Sequence, residues 1–163
     1  MKRDSYAAGI AAAVLTVLGL AGPAAAGDLV PFQGSLGGVV FHEAVDATTD
    51  FVLVEATGTA TQLGQFDVSV PHFVNTPTRT AAGDYEFTAA NGDTLVAEFT
   101  GQAMPTGIPG VIAIVETATI SGGTGRFAGA SGSFVVKRLF DRIAGTTIGS
   151  FEGTISAPGA SNP

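Results

Sequence analysis

The chain has 163 residues, 45% of them hydrophobic and only 13% charged, which fits one globular domain and is too apolar for a disordered segment. Its 23 glycines are scattered rather than periodic, so a collagen-like repeat is excluded. A net charge of −7 argues against phosphate backbones and anionic membrane surfaces as partners, and the absence of cysteine removes disulfides, thiolate metal ligands and a cysteine nucleophile.

The first 26 residues read as a secretory signal. Lys2 and Arg3 supply the positive start, Ala7 to Leu20 the short apolar stretch, Pro23 the break, and Ala24, Ala25 and Ala26 the small residues a signal peptidase requires. The apolar stretch is shorter than the roughly 20 residues that span a bilayer. Residues 27–163 then form a single exported domain, periplasmic or extracellular. Losing two cations and one anion with the signal moves the net charge to −8 and leaves five cationic side chains.

Strand-like runs follow, each bounded by turn residues, at about the spacing of a β-sandwich or barrel. Eight are predicted. The first spans about Val30 to Glu43, the second Phe51 to Thr61, the third Gly64 to Val74 and the fourth Gly83 to Ala89. Asn91-Gly92 predicts a two-residue type I′ hairpin with positive φ at both central residues. The fifth strand covers Asp93 to Gln102, and Pro105 and Pro109 bracket a loop. The sixth runs Val111 to Ser121, the seventh about Arg126 to Phe140 and the eighth Thr146 to Ser156, with a small polar tail after Pro158 expected to fray.

Alternation assigns the faces. Phe66, Val68, Val70, His72 and Val74 share one side of the third strand, while Leu95, Ala97 and Phe99 oppose Glu98 on the fifth. Tyr85 and Phe87 oppose Glu86, and Phe151 and Ile155 oppose Glu152. The expected fold is all-β: a closed, eight-stranded antiparallel barrel that buries the apolar faces and leaves no sheet edge, with a two-sheet sandwich as runner-up. A membrane-inserted barrel is disfavoured by the absence of Trp, the presence of only two Tyr, and acidic residues on the outer faces.

The run from Ile120 to Phe134, ISGGTGRFAGASGSF, resembles the glycine-rich hairpin of plant allene oxide cyclases and dirigent proteins. The stretches 58–66, 88–95 and 149–155 look like bacterial secreted proteins of that barrel superfamily. The resemblance implies an eight-stranded calycin-like barrel whose lumen suits a small apolar molecule, often assembled as a trimer. The plant enzymes are isomerases that steer a reactive oxide, and dirigent proteins steer radical coupling. None of their functional residues is carried over to this chain.

Four glycines of that run, Gly122, Gly123, Gly125 and Gly129, lack the Lys-Ser/Thr of a phosphate loop and read as a tight hairpin. Glu86, Glu98 and Glu152 each adjoin an inward Phe and are expected in water. Glu116 shares its side with Ile112, Ile114 and Ile120, which suggests a strand covered on both faces by a partner subunit. Four ionisable residues sit on apolar faces: Glu55 with Phe51 and Leu53, His72 with Val68 and Val70, Tyr85 with Phe87, and Arg138 with Phe134 and Val136. Grouped in a lumen they would have to satisfy one another, and such a group is a candidate general acid/base site. The competing reading puts each near a barrel mouth with its polar tip in water.

His42 and His72 lack a third ligand for a metal, no Ser-His-Asp order, HExxH or EF-hand loop occurs, and neither metal nor cofactor is expected. The leading expectation is therefore an exported barrel that binds a small apolar molecule without catalysis. The alternatives are an allene-oxide-cyclase-like isomerase or cyclase, a dirigent-like protein, and third, a structural or protein-interaction exoprotein.

Overall fold

The computed structural model describes residues 28–156; the signal read in residues 1–26 and the tail after Pro158 lie outside them. Eight strands follow one another: β1 (Leu29–Ala44), β2 (Thr49–Ala60), β3 (Gly64–Asn75), β4 (Thr80–Ala89), β5 (Thr94–Pro105), β6 (Val111–Gly123), β7 (Gly132–Asp141) and β8 (Thr146–Ser156). Each pairs antiparallel with the next, and β8 returns to β1 from Leu29↔Ser156 to Val39↔Thr146. The sheet is thus a closed barrel rather than a sandwich, and no strand among the described residues is left with an unpaired edge.

Alternation along the strands builds the interior. Phe32, Phe66, Phe87, Phe134 and Phe151 point inward from five strands and meet at centroid distances of 5.0 to 6.3 Å, mostly tilted or edge-on, as ring quadrupoles prefer. Tyr85 stacks on Phe87 at 5.6 Å and leans on Phe99 at 5.1 Å, so the aromatic column continues up the barrel axis. Glu86, Glu98 and Glu152 lie on the exposed outer wall.

Two turns differ from the sequence reading. Gly92 has φ +87 but Asn91 does not have positive φ; Gly92 N–H donates to Ala89 O and Ala89 N–H to Asp93 O. That is a three-residue hairpin, a turn followed by a left-handed glycine, in place of the two-residue type I′ form. The second difference is that β7 begins at Gly132 rather than near Arg126. Gly125 (φ +56) and Gly129 (φ +71) turn residues 125–127 into a 3₁₀ turn, and this points Phe127 inward until it is fully buried.

Phe127 and buried Leu63 plug one end of the barrel. Arg126 ties that end together: its Nη2 donates to Leu63 O at 3.1 Å, its Nε lies 3.7 Å from Asp93, and its guanidinium covers the Phe127 ring. The opposite end, where the β1–β2, β3–β4, β5–β6 and β7–β8 turns gather, has no such plug.

Candidate functional site

Above the Tyr85–Phe99 layer the barrel interior turns polar. Arg138 on β7 lies directly across from Ile114 on β6, beside Glu116. Its Nη2 donates to Glu116 Oε1 at 2.7 Å and its Nε to Glu116 Oε2 at 3.0 Å, a two-pronged pairing that fits the planar guanidinium. The Tyr85 hydroxyl donates to the same Oε2 at 2.5 Å. Arg138 Nη1 reaches Thr147 Oγ1 at 3.5 Å, and that hydroxyl donates to Leu139 O at 2.9 Å. No buried side-chain nitrogen or oxygen among the described residues lacks a partner. Complete pairing is what allows an ion pair to sit in a core of phenylalanine.

Space for these groups comes from glycine. Gly101 lies across from Glu116 and Gly149 across from Arg138; a Cβ at Gly101 would fall 2.7 Å from Glu116 Cγ, and one at Gly149 would fall 2.5 Å from Arg138 Cβ. Each long polar side chain therefore leans across a neighbouring strand that has no side chain at that point.

Electrostatics follows the geometry. Burial pushes the Tyr85 phenol well above its usual range and the Glu116 charge pushes it further, so it stays protonated and donating. Burial alone would lower the Arg138 guanidinium, but the hydrogen bonds and charge of Glu116 reverse this and hold it above its ordinary value. Burial lowers the His72 pKa and the Arg138 charge adds to it, partly opposed by the hydrogen bond to Val70. His72 Nδ1 lies 2.9 Å from Val70 O. A carbonyl only accepts, so Nδ1 carries the proton of the neutral ring and Nε2 is left as the acceptor.

His72 and Arg138 form the floor of a cavity of about 600 Å³ at the unplugged end. Its walls include Val40, Val52, Val74, Ile112, Ile114 and Phe140, and its rim carries His42, Asp50, Arg79 and Arg142. This volume lies within the roughly 300–1,000 Å³ of small-molecule sites, and apolar walls with a few fixed polar groups are their usual lining. Other hollows, such as that beside Ser35, Thr57 and Asp67, lie against the outer wall. Among the described residues no cluster of three or more His, Cys, Asp or Glu is arranged to hold a metal ion.

Of the four residues singled out from the sequence, the fold brings Tyr85 and Arg138 onto one carboxylate and places His72 in the same lumen, where it lines the cavity that Arg138 also reaches. Glu55 is a correction. It lies on the exposed outer wall and accepts a hydrogen bond from Ser69 Oγ at 2.7 Å. The inward residues of β2 are Val52, Val54 and Ala56; Phe51 and Leu53 face outward, Phe51 packing on Phe73 at 5.5 Å. Both faces of β2 are apolar, so alternation does not choose between them. Glu116 is the second correction. It is fully buried in the lumen, so its apolar neighbours Ile112, Ile114 and Ile120 require no partner subunit. Those isoleucines were the signal for its inward orientation.

Comparison with known proteins identifies the fold. The chain is similar to the solved structure of a pterocarpan synthase dirigent protein, with TM-score 0.53 and 16% sequence identity over 83% of this chain and 89% of that one. At that identity the likeness is one of fold: a dirigent-like eight-stranded barrel. No protein-family model matches the chain, and no curated protein sequence matches it.

Proposed function

We propose that the barrel binds a small, mainly apolar molecule through its open mouth, with the apolar body against Val52, Val74, Ile112 and Phe140 and a polar group over His72 and Arg138. The observation that carries this reading is the cavity of about 600 Å³, apolar in its walls, above a polar floor of His72 and the Glu116-paired Arg138. A neutral His72 acceptor and the Arg138 guanidinium on the same cavity floor offer a ligand one group of each kind. That is how such sites set orientation.

A second reading is favoured by the same floor. The structural neighbour is a dirigent protein described as a pterocarpan synthase. In this chain His72 Nε2 as proton acceptor and Arg138 as a stabiliser of developing negative charge would support an isomerase or cyclase step, or dirigent-like steering of a reactive ligand. Turnover separates the two readings. The export signal read in residues 1–26 supports a periplasmic or extracellular location. The outward side chains Phe41, Phe73, Leu139 and Ile148, all substantially exposed, support a homo-oligomer, for which a trimer is the form the sequence resemblance implies.

The test is a titration with N-phenyl-1-naphthylamine, a neutral dye that fluoresces in apolar surroundings. Wild type is expected to give saturable binding that Val74→Trp, which fills the mouth, abolishes. Absence of saturable binding, or equal binding by Val74→Trp, would contradict the reading.

A further inference from the structure

We infer that the mouth selects an amphipathic organic anion: an apolar body in the cavity and a carboxylate head held at the rim by Arg79 and Arg142. The inference rests on the proposal that the cavity takes an apolar molecule, and adds the charge of what it takes.

The domain is acidic, yet three of the five cationic side chains in the described residues, Arg79, Arg138 and Arg142, line this one cavity. Arg138 is neutralised by Glu116. The ion pairs of the described residues are Arg138–Glu116 and, at the plugged end, Arg126–Asp93, so neither Arg79 nor Arg142 has a carboxylate partner. Asp50 is the one carboxylate in the lining. Among the lining side chains the two rim guanidiniums thus stand against one carboxylate, which suits a monoanion.

Both arginines branch from backbone that is already held. Arg79 stands at φ +60, a conformation uncommon for a residue with a side chain. Its N–H donates to Asn75 O at 2.7 Å, and its carbonyl accepts from Ala103 N at 2.9 Å and from Gln102 Nε2 at 3.2 Å. Arg142 N–H donates to Gly110 O at 2.9 Å, and the preceding Asp141 caps the turn by accepting from Ile143 N and Ala144 N. A backbone fixed in advance reduces what a ligand must order. Both side chains are exposed, and a guanidinium presents a planar fork to a carboxylate.

The test is calorimetric titration of the purified protein with decanoate, 1-decanol and decylammonium, which share a ten-carbon chain and differ in head-group charge. Decanoate is expected to bind about tenfold more tightly than decanol, and decylammonium more weakly than either, as a pair of charge-assisted hydrogen bonds at an exposed rim allows. In Arg79→Gln/Arg142→Gln the decanoate affinity is expected to fall to within about twofold of decanol, with decanol itself unchanged. Arg79→Lys/Arg142→Lys, which keeps the charge, is expected to retain the preference, as is Arg126→Gln at the plugged end. Decanol binding as tightly as decanoate, or a preference that survives in Arg79→Gln/Arg142→Gln, would overturn the anion and leave apolar binding standing. Failure of all three ligands to bind would overturn both.

Discussion

The two ends of this barrel are made from the same eight strands and the same alternation, yet one is solid and the other open. At the plugged end, five inward phenylalanines meet ring to ring, and Phe127 and Leu63 close the barrel with Arg126 stitched over them. Toward the mouth, the inward positions hold mostly branched aliphatics with Phe140 at the wall, which leave the axis empty, and a few polar groups such as the Arg138–Glu116 pair. The wall sets the diameter, and side-chain size decides whether that diameter is filled. The packed aromatic core and the open cavity are thereby placed at opposite ends, separated by the Tyr85–Glu116–Arg138 layer.

Substitutions can break that contrast, beginning with the largest effect. Phe87→Ala, in the middle of the ring cluster, should cost about 3–5 kcal/mol in a denaturant melt. Phe140→Ala, half-buried at the mouth, should cost less than about half of that, because it enlarges a space already open to water. Equal costs would mean that the mouth is packed like the plug. In the dividing layer, Arg138→Met leaves the Glu116 charge buried without its cation and should cost about 3–5 kcal/mol, whereas Arg138→Met/Glu116→Gln, which removes the charge and keeps an oxygen for the Tyr85 hydroxyl, should recover a large part of it. A double variant no more stable than the single one would show that the layer is held by something other than mutual satisfaction.

The smallest effect concerns pH. The folded-state pKa of His72 is lowered by burial, so the unfolded chain takes up its proton first as pH falls. Stability contributed by the neutral ring is complete above the unfolded value near 6.5 and is lost as pH falls from there toward the lowered folded value. Melts between pH 7.5 and about pH 5 should therefore show wild type losing stability with acid more steeply than His72→Gln. Parallel profiles would remove His72 from the titrating groups.

How much of this was legible in the sequence depended on whether one face of a strand was clearly polar. On β3, β4, β5 and β8 the alternation of phenylalanine or valine with Asp, Glu and Thr is clean, and the inward residues follow at once. On β2, Phe51 and Leu53 pack outside while Val52 and Val54 pack inside, so period two carries no sign and Glu55 was placed on the wrong face. Glu116 was readable as inward from its isoleucine neighbours, and Arg138 on an apolar face called for a carboxylate. What joins them is register: it sets Glu116 near Arg138 and puts Gly101 and Gly149 across from them, and register is fixed by the bulge at the Val96–Ala97 step and by the turns. The rim arginines lie in loops, where no periodicity points a side chain.

The contrast between the ends is tested most directly by asking which end a ligand touches. The chain contains no tryptophan, so Phe140→Trp at the mouth and Phe127→Trp in the plug each carry a single fluorescent reporter. Titrated with 8-bromo-1-octanol, whose bromine quenches indole on contact, Phe140→Trp is expected to lose its emission saturably and Phe127→Trp to keep it. Quenching of Phe127→Trp, or none at Phe140→Trp, would contradict a barrel that binds at its open end.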